Sequence, residues 1–369
     1  MSKSIVVTLP VLMILLDYWP LKRLRWQKQY VVEQLKEKFP FFLLSVIFSL
    51  ITLIAQPDSA KVKVFPLSFR LANAPVSFVA YLKKTFWPHD FAVFYPFPSH
   101  IAVWQFIISL TVLFTITLFV IVHAKRLQQI FIGWMWFFIS LLPVIGIVSV
   151  GNHAMADRYH YLASIGLAII FGWSIPLQTR NGKKILFSAG LIFITVMGLI
   201  AWKQCGYWQN SITLFSHALK STQNNYFAHD GLGIALVEEG RMEEAVESFS
   251  KAIVITPDYL VPYLNRGNVY DKLGQFQLAI KDYETAIRLK PNYTKAYINI
   301  GLIYSKQGQH QLALENYNKS INLNPNNAEA YHKRGALYAK LNQYQQAIDD
   351  YSKAISFNPL YPDPYIDRG

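Results

Sequence analysis

The residues best suited to chemistry lie in a short polar stretch, "HAMADRYHYL" (residues 153–162), which runs directly into an apolar segment. Arg158 suits phosphate oxygens because its guanidinium can donate two parallel hydrogen bonds, and the neighbouring Asp157 can orient it or pair with it. His153 is a further substrate-binding candidate. The alternative is an ion pair or cap that closes a turn between two helices, and the sequence leaves both interpretations open.

A second candidate stretch is "LANAPVSFVAYLKKTFWPHDFAVFYPFP" (residues 71–98). Its apolar residues follow a helical spacing from residue 71 to residue 86, which predicts an amphipathic helix on a membrane surface. Beyond that helix, aromatic residues favour either a lipid-anchoring belt or the wall of a groove for a lipid-linked substrate. In the groove interpretation, Lys83, Lys84 or His89 lies near a phosphate of the substrate.

The composition indicates a membrane protein. The chain is 53% hydrophobic and 15% charged, which is too apolar for an ordinary soluble protein of 369 residues. Residues 1–205 contain 19 Lys and Arg against 6 Asp and Glu, so the net charge of +13 belongs to the apolar half. A basic excess confined there favours anionic lipid head groups over nucleic acid as the partner. The single Cys205 excludes an internal disulfide, and no motif predicts a metal or cofactor.

Six apolar stretches suit membrane-spanning helices, which need about 20 residues each. They are residues 4–19, 40–56, 101–124, 130–150, 161–178 and 184–202. The loops at 20–39, 125–129 and 179–184 together carry 11 basic residues, and the alternate loops carry 6. The positive-inside rule therefore predicts a multi-pass protein whose loops 57–100 and 151–160, and everything after about residue 203, are non-cytoplasmic.

The second half of the chain repeats with a period of 34 residues. Prolines stand at 257, 291, 325 and 359, and glycines at 233, 267, 301, 335 and 369. This spacing is typical of tetratricopeptide repeats, in which small residues let two helices approach closely and proline ends the second. The fold class predicted is therefore all-α, a polytopic membrane domain of about six helices followed by a tetratricopeptide solenoid. The domains predicted are a membrane domain at 1–205, a junction at 206–225, and a solenoid at 226–369 with repeats 226–259, 260–293, 294–327, 328–361 and the start of a fifth at 362–369.

The first helix of each repeat lines the concave face of such a solenoid. Asn265 and Asn299 occupy equivalent positions in that row, and Lys333 follows in the next repeat. Side-chain amides can donate and accept hydrogen bonds at once, which suits the backbone of an extended peptide. The alternative is a row of polar side chains that is only solvated.

Three motifs resemble a bacterial family of membrane proteins that is similar to the metazoan O-mannosyltransferases with tetratricopeptide repeats. They are "VTLPVLMILLDYWPLKRL", "YLKKTFWPHDFAVFYPFP" and "HAMADRYHYLASIGL". The resemblance implies a GT-C type glycosyltransferase in the bacterial inner membrane, with a polyprenyl-phosphate sugar as donor and a protein hydroxyl as acceptor. It implies that Asp157, Arg158, Trp87 and Tyr95 are substrate-pocket residues, while the N-terminal part of the family pattern, with the expected catalytic base, is missing. Within the glycosyltransferase hypothesis, Asp90 and Asp157 are the candidate catalytic carboxylates. A non-catalytic membrane-anchored scaffold for protein partners is the alternative.

Overall fold

The computed structural model describes residues 7–23, 28–54, 65–98, 100–147, 153–174 and 180–369. Side chains at 28–31, 52–54, 153, 158, 174, 180–186 and 189 are outside this description. The chain divides into two compact units, Met1–Ala228 and His229–Gly369. The division falls a few residues after the predicted junction at 206–225.

The first unit is built from eight described helices. They are α1 Leu9–Tyr18, α2 Lys28–Ile54, α3 Leu67–Phe86, α4 Val103–Val122, α5 Gln128–Leu141, α6 His160–Ser174, α7 Arg180–Gly206 and α8 Ser211–Ser221. Two short strands, β1 Tyr95–Pro96 and β2 His153–Met155, pair antiparallel. Their pairing brings the aromatic loop after α3 beside the polar stretch before α6, where Asp157–Tyr159 form a 3₁₀ turn.

Helix α3 packs one face into the core of this unit. Phe78 and Tyr81 are buried, and Phe78 stacks on Phe138 of α5 with ring centroids 4.7 Å apart. The buried face also includes Asn73, which donates a hydrogen bond to Ser77 at 3.0 Å and so satisfies both polar groups. The segment predicted as a membrane-surface helix is therefore partly a core helix.

Helices α5 and α6 cross at a pair of glycines. A Cβ on Gly133 would lie 2.3 Å from the carbonyl oxygen of Gly166, and a Cβ on Gly166 would lie 2.3 Å from that of Gly133. Backbone atoms cannot give way to a side chain at that distance. The two glycines thus set how closely the helices approach, as small residues do in membrane helix pairs.

The prediction of six membrane spans is not supported by the described residues. One helix there, α4 at Val103–Val122, is long and apolar enough to cross a bilayer. Three predicted spans correspond to shorter apolar helices of 10 to 17 residues, near Leu9, Gln128 and His160. The end of α7 and helix α8 pass the length and composition test together, but they meet at a bend of 116°.

The second unit is a solenoid of paired helices. The pairs are α9 Tyr226–Glu238 with α10 Met242–Ile255, α11 Leu260–Lys272 with α12 Phe276–Leu289, α13 Thr294–Lys306 with α14 His310–Leu323, and α15 Ala328–Lys340 with α16 Tyr344–Phe357, followed by α17 Asp363–Arg368. Within each pair a glycine faces an aromatic ring, as Gly267 faces Tyr283, where a Cβ would lie 2.8 Å from the ring. Each second helix ends just before its proline, as predicted from the 34-residue spacing.

Buried ion pairs link the helices in alternate repeats. The guanidinium of Arg266 donates two hydrogen bonds of 2.8 Å to Asp282 and a third, also 2.8 Å, to Ser250 of the preceding repeat. Arg334 and Asp350, 68 residues further on, make the same bidentate pair. The repeat between them has Ile300 at the arginine position, where it is buried in an apolar cluster.

Candidate functional site

Three of the predicted site residues meet in space. The Tyr95 hydroxyl donates a hydrogen bond to Asp157 Oδ2 at 2.5 Å and accepts one from Lys84 Nζ at 2.8 Å. Lys84 Nζ lies 3.7 Å from the other oxygen of Asp157, Oδ1. The backbone N–H of Ala92 donates to both Asp157 Oδ2, at 3.1 Å, and the Tyr95 hydroxyl, at 2.7 Å. We call Lys84, Tyr95 and Asp157 the Lys–Tyr–Asp cluster.

Burial sets the electrostatics of this cluster. Removal from water raises the pKa of the Asp157 carboxyl and lowers the pKa of the Lys84 ammonium, and the attraction between the two charges opposes both shifts. Burial and the neighbouring Asp157 charge raise the pKa of the Tyr95 hydroxyl, which therefore remains a proton donor at neutral pH. Asp157 is consequently engaged by the protein's own groups, which belong to α3, the loop after it and β1. The turn-closing and the substrate-binding interpretations of Asp157 both stay predictions.

The described side chains of the other predicted residues of this unit take no part in the cluster. Lys83 is exposed on α3, and Trp87 is 57% exposed at its end. Asp90 contacts the imidazole Nδ1 of His89 and reaches the cluster only through its backbone carbonyl, which accepts from Lys84 at 2.8 Å. The side chains of His153 and Arg158 lie outside the described residues, so their substrate-binding roles stay predictions.

Sequence reasoning gave His160 no site role, although it lies beside the cluster. Its Nε2 is 2.9 Å from the Thr85 hydroxyl, and its ring stacks on Tyr81 with centroids 5.7 Å apart. Burial, with a smaller contribution from the Lys84 charge, lowers the pKa of His160 to about 4. The ring is therefore neutral at physiological pH and acts as a packing and hydrogen-bonding group.

The predicted concave row of the solenoid is partly occupied by bonds between repeats. Asn265 donates to Asp230 at 2.9 Å, and Asn299 donates to Asn268 at 3.0 Å. Lys333 lies half-buried on α15. Asn268, which the sequence reasoning missed, stands one helical turn after Asn265 on α11. The spacing of three residues on one helix is the signal that would have found it.

A pocket of about 420 Å³ opens between the first two repeats of the solenoid. Asn265 and Asn268 both line it. Asn265 Oδ1 and Asn268 Nδ2 make no hydrogen bond to a residue of the described chain, so one acceptor and one donor remain available there. The apolar part of the lining is Ile234, Val237, Phe249 and Val269.

The buried carboxyl of Asp230 should make the solenoid less stable as the pH rises. Burial raises the pKa of its carboxyl to about 6, against a smaller opposing effect of the hydrogen bond from Asn265. A folded-state pKa above the unfolded value means that the contribution to stability is complete below about pH 4 and is lost as the pH rises through about 6. Asp230→Asn keeps an acceptor for Asn265, so we expect it to stabilise the solenoid by about 2–3 kcal/mol at pH 7.5.

The measurement is urea unfolding of the full chain at pH 4 and pH 7.5, with hydrogen exchange in α9–α11 as the readout. At pH 4 the variant and the original chain should unfold alike, since both side chains are then neutral. A variant that is no more stable at pH 7.5 would show that the carboxylate is not destabilised by its surroundings.

The solenoid matches sequence models of known repeats. A model described as a TPR repeat matches residues 233–274, 267–308 and 301–342, and one described as a tetratricopeptide repeat matches 328–361. Residues 233–361 are tetratricopeptide repeats. The fold predicted from the 34-residue period is therefore confirmed for this part of the chain.

Two curated proteins with partial similarity are O-mannosyl-transferases. A Protein O-mannosyl-transferase of Caenorhabditis elegans is 24% identical over 156 residues, which cover 41% of this chain and 22% of that protein. TMTC3 of Homo sapiens is 29% identical over 106 residues, which cover 28% of this chain and 12% of TMTC3. The chain therefore spans less than a quarter of the length of these relatives.

Solved structures with similar tetratricopeptide repeats include MamA, which is 27% identical with a TM-score of 0.38 and covers 43% of this chain and 94% of MamA. Another is the first TPR domain of Spaghetti (RPAP3) bound to the HSP90 peptide SRMEEVD. It is 26% identical, with a TM-score of 0.30, and covers 32% of this chain and 93% of that one.

Proposed function

We propose that this protein is a membrane-anchored tetratricopeptide protein that captures an extended peptide segment of a partner. The observation that carries this proposal is the pair of unused polar atoms in the pocket between the first two repeats. An extended residue offers one N–H and one C=O, which match the acceptor Asn265 Oδ1 and the donor Asn268 Nδ2. The apolar lining, including Phe249 and Val269, can then bury the peptide's side chain.

Membrane anchoring is supported by the surface of α4. Its outward residues include Val103, Trp104, Phe114 and Val122, each more than 60% exposed. Apolar helix faces of this length are stable in a bilayer and unfavourable in water. The excess of basic residues in alternate loops supports a non-cytoplasmic position for the solenoid.

We test peptide capture by selecting random 12-residue peptides on the full chain and measuring their dissociation constants. Asn268→Ala should raise the dissociation constants of the selected peptides about tenfold, because the variant leaves a buried peptide carbonyl without its hydrogen-bond donor. Asn316→Ala is the matched control, since Asn316 lies half-buried on α14, outside the pocket lining, and donates to the Leu312 carbonyl of its own helix. Equal binding by the original chain and Asn268→Ala would remove the pocket as the capture site.

A second candidate function is transfer of a sugar from a polyprenyl-phosphate donor to a hydroxyl of the captured protein. It is supported by the partial similarity to O-mannosyl-transferases. It is also supported by a pocket beside the Lys–Tyr–Asp cluster, with His89 and Asp90 on its wall. The experiment is incorporation of labelled mannose from a polyprenyl phosphate into acceptor peptides by the full chain. Without transfer, the protein is a scaffold that only holds its partner.

A further inference from the structure

The first unit contains a pocket of about 180 Å³ that sequence reasoning did not predict. It lies between the turn that follows α3, the end of α7 and helix α8. Its lining consists of Trp87, Pro88, His89, Asp90, Ile200, Lys203, Gln204, Tyr207 and His217. One carboxylate and one ammonium, those of Asp90 and Lys203, are part of this lining, so the pocket's charge does not favour a charged ligand.

His89 and Asp90 form a dyad at the wall of the pocket. The imidazole Nδ1 of His89 contacts the Asp90 carboxylate, and its Nε2 has no hydrogen-bond partner among the residues that the structure describes. When Nδ1 carries the proton and donates a hydrogen bond to Asp90, Nε2 has a free lone pair that can accept a proton. This is the arrangement in which a carboxylate holds a histidine in the tautomer of a general base.

Lys84 holds the dyad in place. Its ammonium donates to the backbone carbonyls of His89, at 3.4 Å, and Asp90, at 2.8 Å. Asp90 adopts a left-handed backbone conformation with φ of 55°, which Asp tolerates better than most residues. Pro88, which precedes the dyad, restricts the backbone at the start of the turn. The dyad is therefore positioned by the Lys–Tyr–Asp cluster.

Two further features indicate what the pocket can bind. The Oε1 atom of Gln204 is buried and has no hydrogen-bond partner within the described part of the chain, so a ligand that donates a hydrogen bond would satisfy it. Trp87, which is 57% exposed, offers an apolar ring face at the rim. Opposite, Tyr207 stacks on His217 with ring centroids 3.8 Å apart and closes the pocket. These groups suit a neutral ligand with a small apolar part and a hydroxyl.

We propose that this pocket holds the hydroxyl side chain of the acceptor polypeptide, with His89 as the general base and Asp90 and Lys84 as positioning residues. The assignment of His89 rests on the second candidate function above. In the transfer step, the hydroxyl proton passes to His89 Nε2 and the hydroxyl oxygen bonds to the anomeric carbon of the sugar. The bond from that carbon to the phosphate oxygen breaks, and its electron pair stays on the polyprenyl phosphate.

The first experiment measures binding alone. Two blocked tripeptides, Ala-Thr-Ala and Ala-Val-Ala, differ by one hydroxyl at constant shape, and their dissociation constants for the full chain are measured by NMR. We expect the threonine peptide to bind about fivefold more tightly, the value of one hydrogen bond. His89→Gln should remove most of this preference. His123→Gln is the control, because His123 lies at the end of α4, where its Nδ1 bonds the Phe119 carbonyl. Equal binding of both peptides, or a preference that survives His89→Gln, overturns the proposal.

The second experiment measures mannose transfer. His89→Gln should lower kcat by about 10²–10⁴-fold with little change in KM for the peptide, since a general base acts in the transition state. Unchanged kcat would overturn the assignment of His89 as base. If the original chain transfers no sugar, the transfer function and the role of His89 as base fail together, while the threonine preference separately decides whether the pocket binds a hydroxyl.

Discussion

Replacing Arg266 by alanine is expected to lower the free energy of unfolding of the solenoid by about 3–5 kcal/mol. The substitution leaves Asp282, whose side chain is 6% exposed, as a buried carboxylate without its cation. It also removes the guanidinium from between the rings of Tyr263 and Tyr270, whose centroids lie 6.0 and 5.7 Å from it. Most of the loss in stability comes from leaving the Asp282 carboxylate buried without a partner. The net stabilisation that the intact ion pair provides is the smaller part.

A double variant separates these two quantities. Arg266→Met with Asp282→Leu should recover most of the lost stability, because apolar side chains of similar volume replace the whole pair. Arg241→Ala is the control for an exposed pair, that with Glu244, and should cost far less stability than Arg266→Ala. Hydrogen exchange of the full chain in urea, followed in α11 and α12, measures all three. A double variant as unstable as Arg266→Ala would contradict this explanation.

The second large effect is expected at the crossing of α5 and α6. Gly166→Ala places a methyl group 2.3 Å from the Gly133 carbonyl oxygen and 2.8 Å from the Phe137 nitrogen, so the helices must separate. We expect a loss of about 2–3 kcal/mol in the first unit, the upper part of the range for overpacking, because the atoms in contact are backbone.

Gly172→Ala is the matched control on the same helix. A Cβ there meets no atom within 4 Å, so the substitution should stabilise α6 by about 0.5–1 kcal/mol through its helix propensity. Thermal unfolding of both variants in detergent micelles gives the comparison. Opposite signs support close helix contact at Gly166, and a stabilising Gly166→Ala would show that the two helices do not touch there.

The solenoid could be predicted because the contacts that define it join residues close in sequence and recur in every repeat. Each glycine contacts an aromatic residue 16 positions later, as Gly301 contacts Tyr317, so one pattern read four times defines the packing. The predicted peptide-binding row stays a prediction, and Asn265 and Asn299 also serve as hydrogen-bond donors between repeats. Sequence spacing identifies which residues share a face, but the choice of hydrogen-bond partner depends on neighbouring repeats.

For the Lys–Tyr–Asp cluster, residue types indicated the candidate residues but not their contact with one another. Lys84, Tyr95 and Asp157 were each singled out, but their contact depends on the pairing of two short strands that carry little periodic signal. The pocket at His89 was even harder to predict from the sequence. Gln204 and His217 belong to helices far along the chain, and neither stands in a motif.

The alternation of ion pairs has a consequence for how such a solenoid can change length in evolution. Arg266 donates to Ser250, Arg334 to Asn318 and Arg368 to Ser352, each reaching a residue 16 positions back in the preceding repeat. Loss of the single repeat 294–327 would place Glu284 where Arg334 now meets Asn318, and the arginine would gain a second carboxylate. Loss of this one repeat would therefore leave Arg334 paired with Asp350 and add an attractive contact with Glu284.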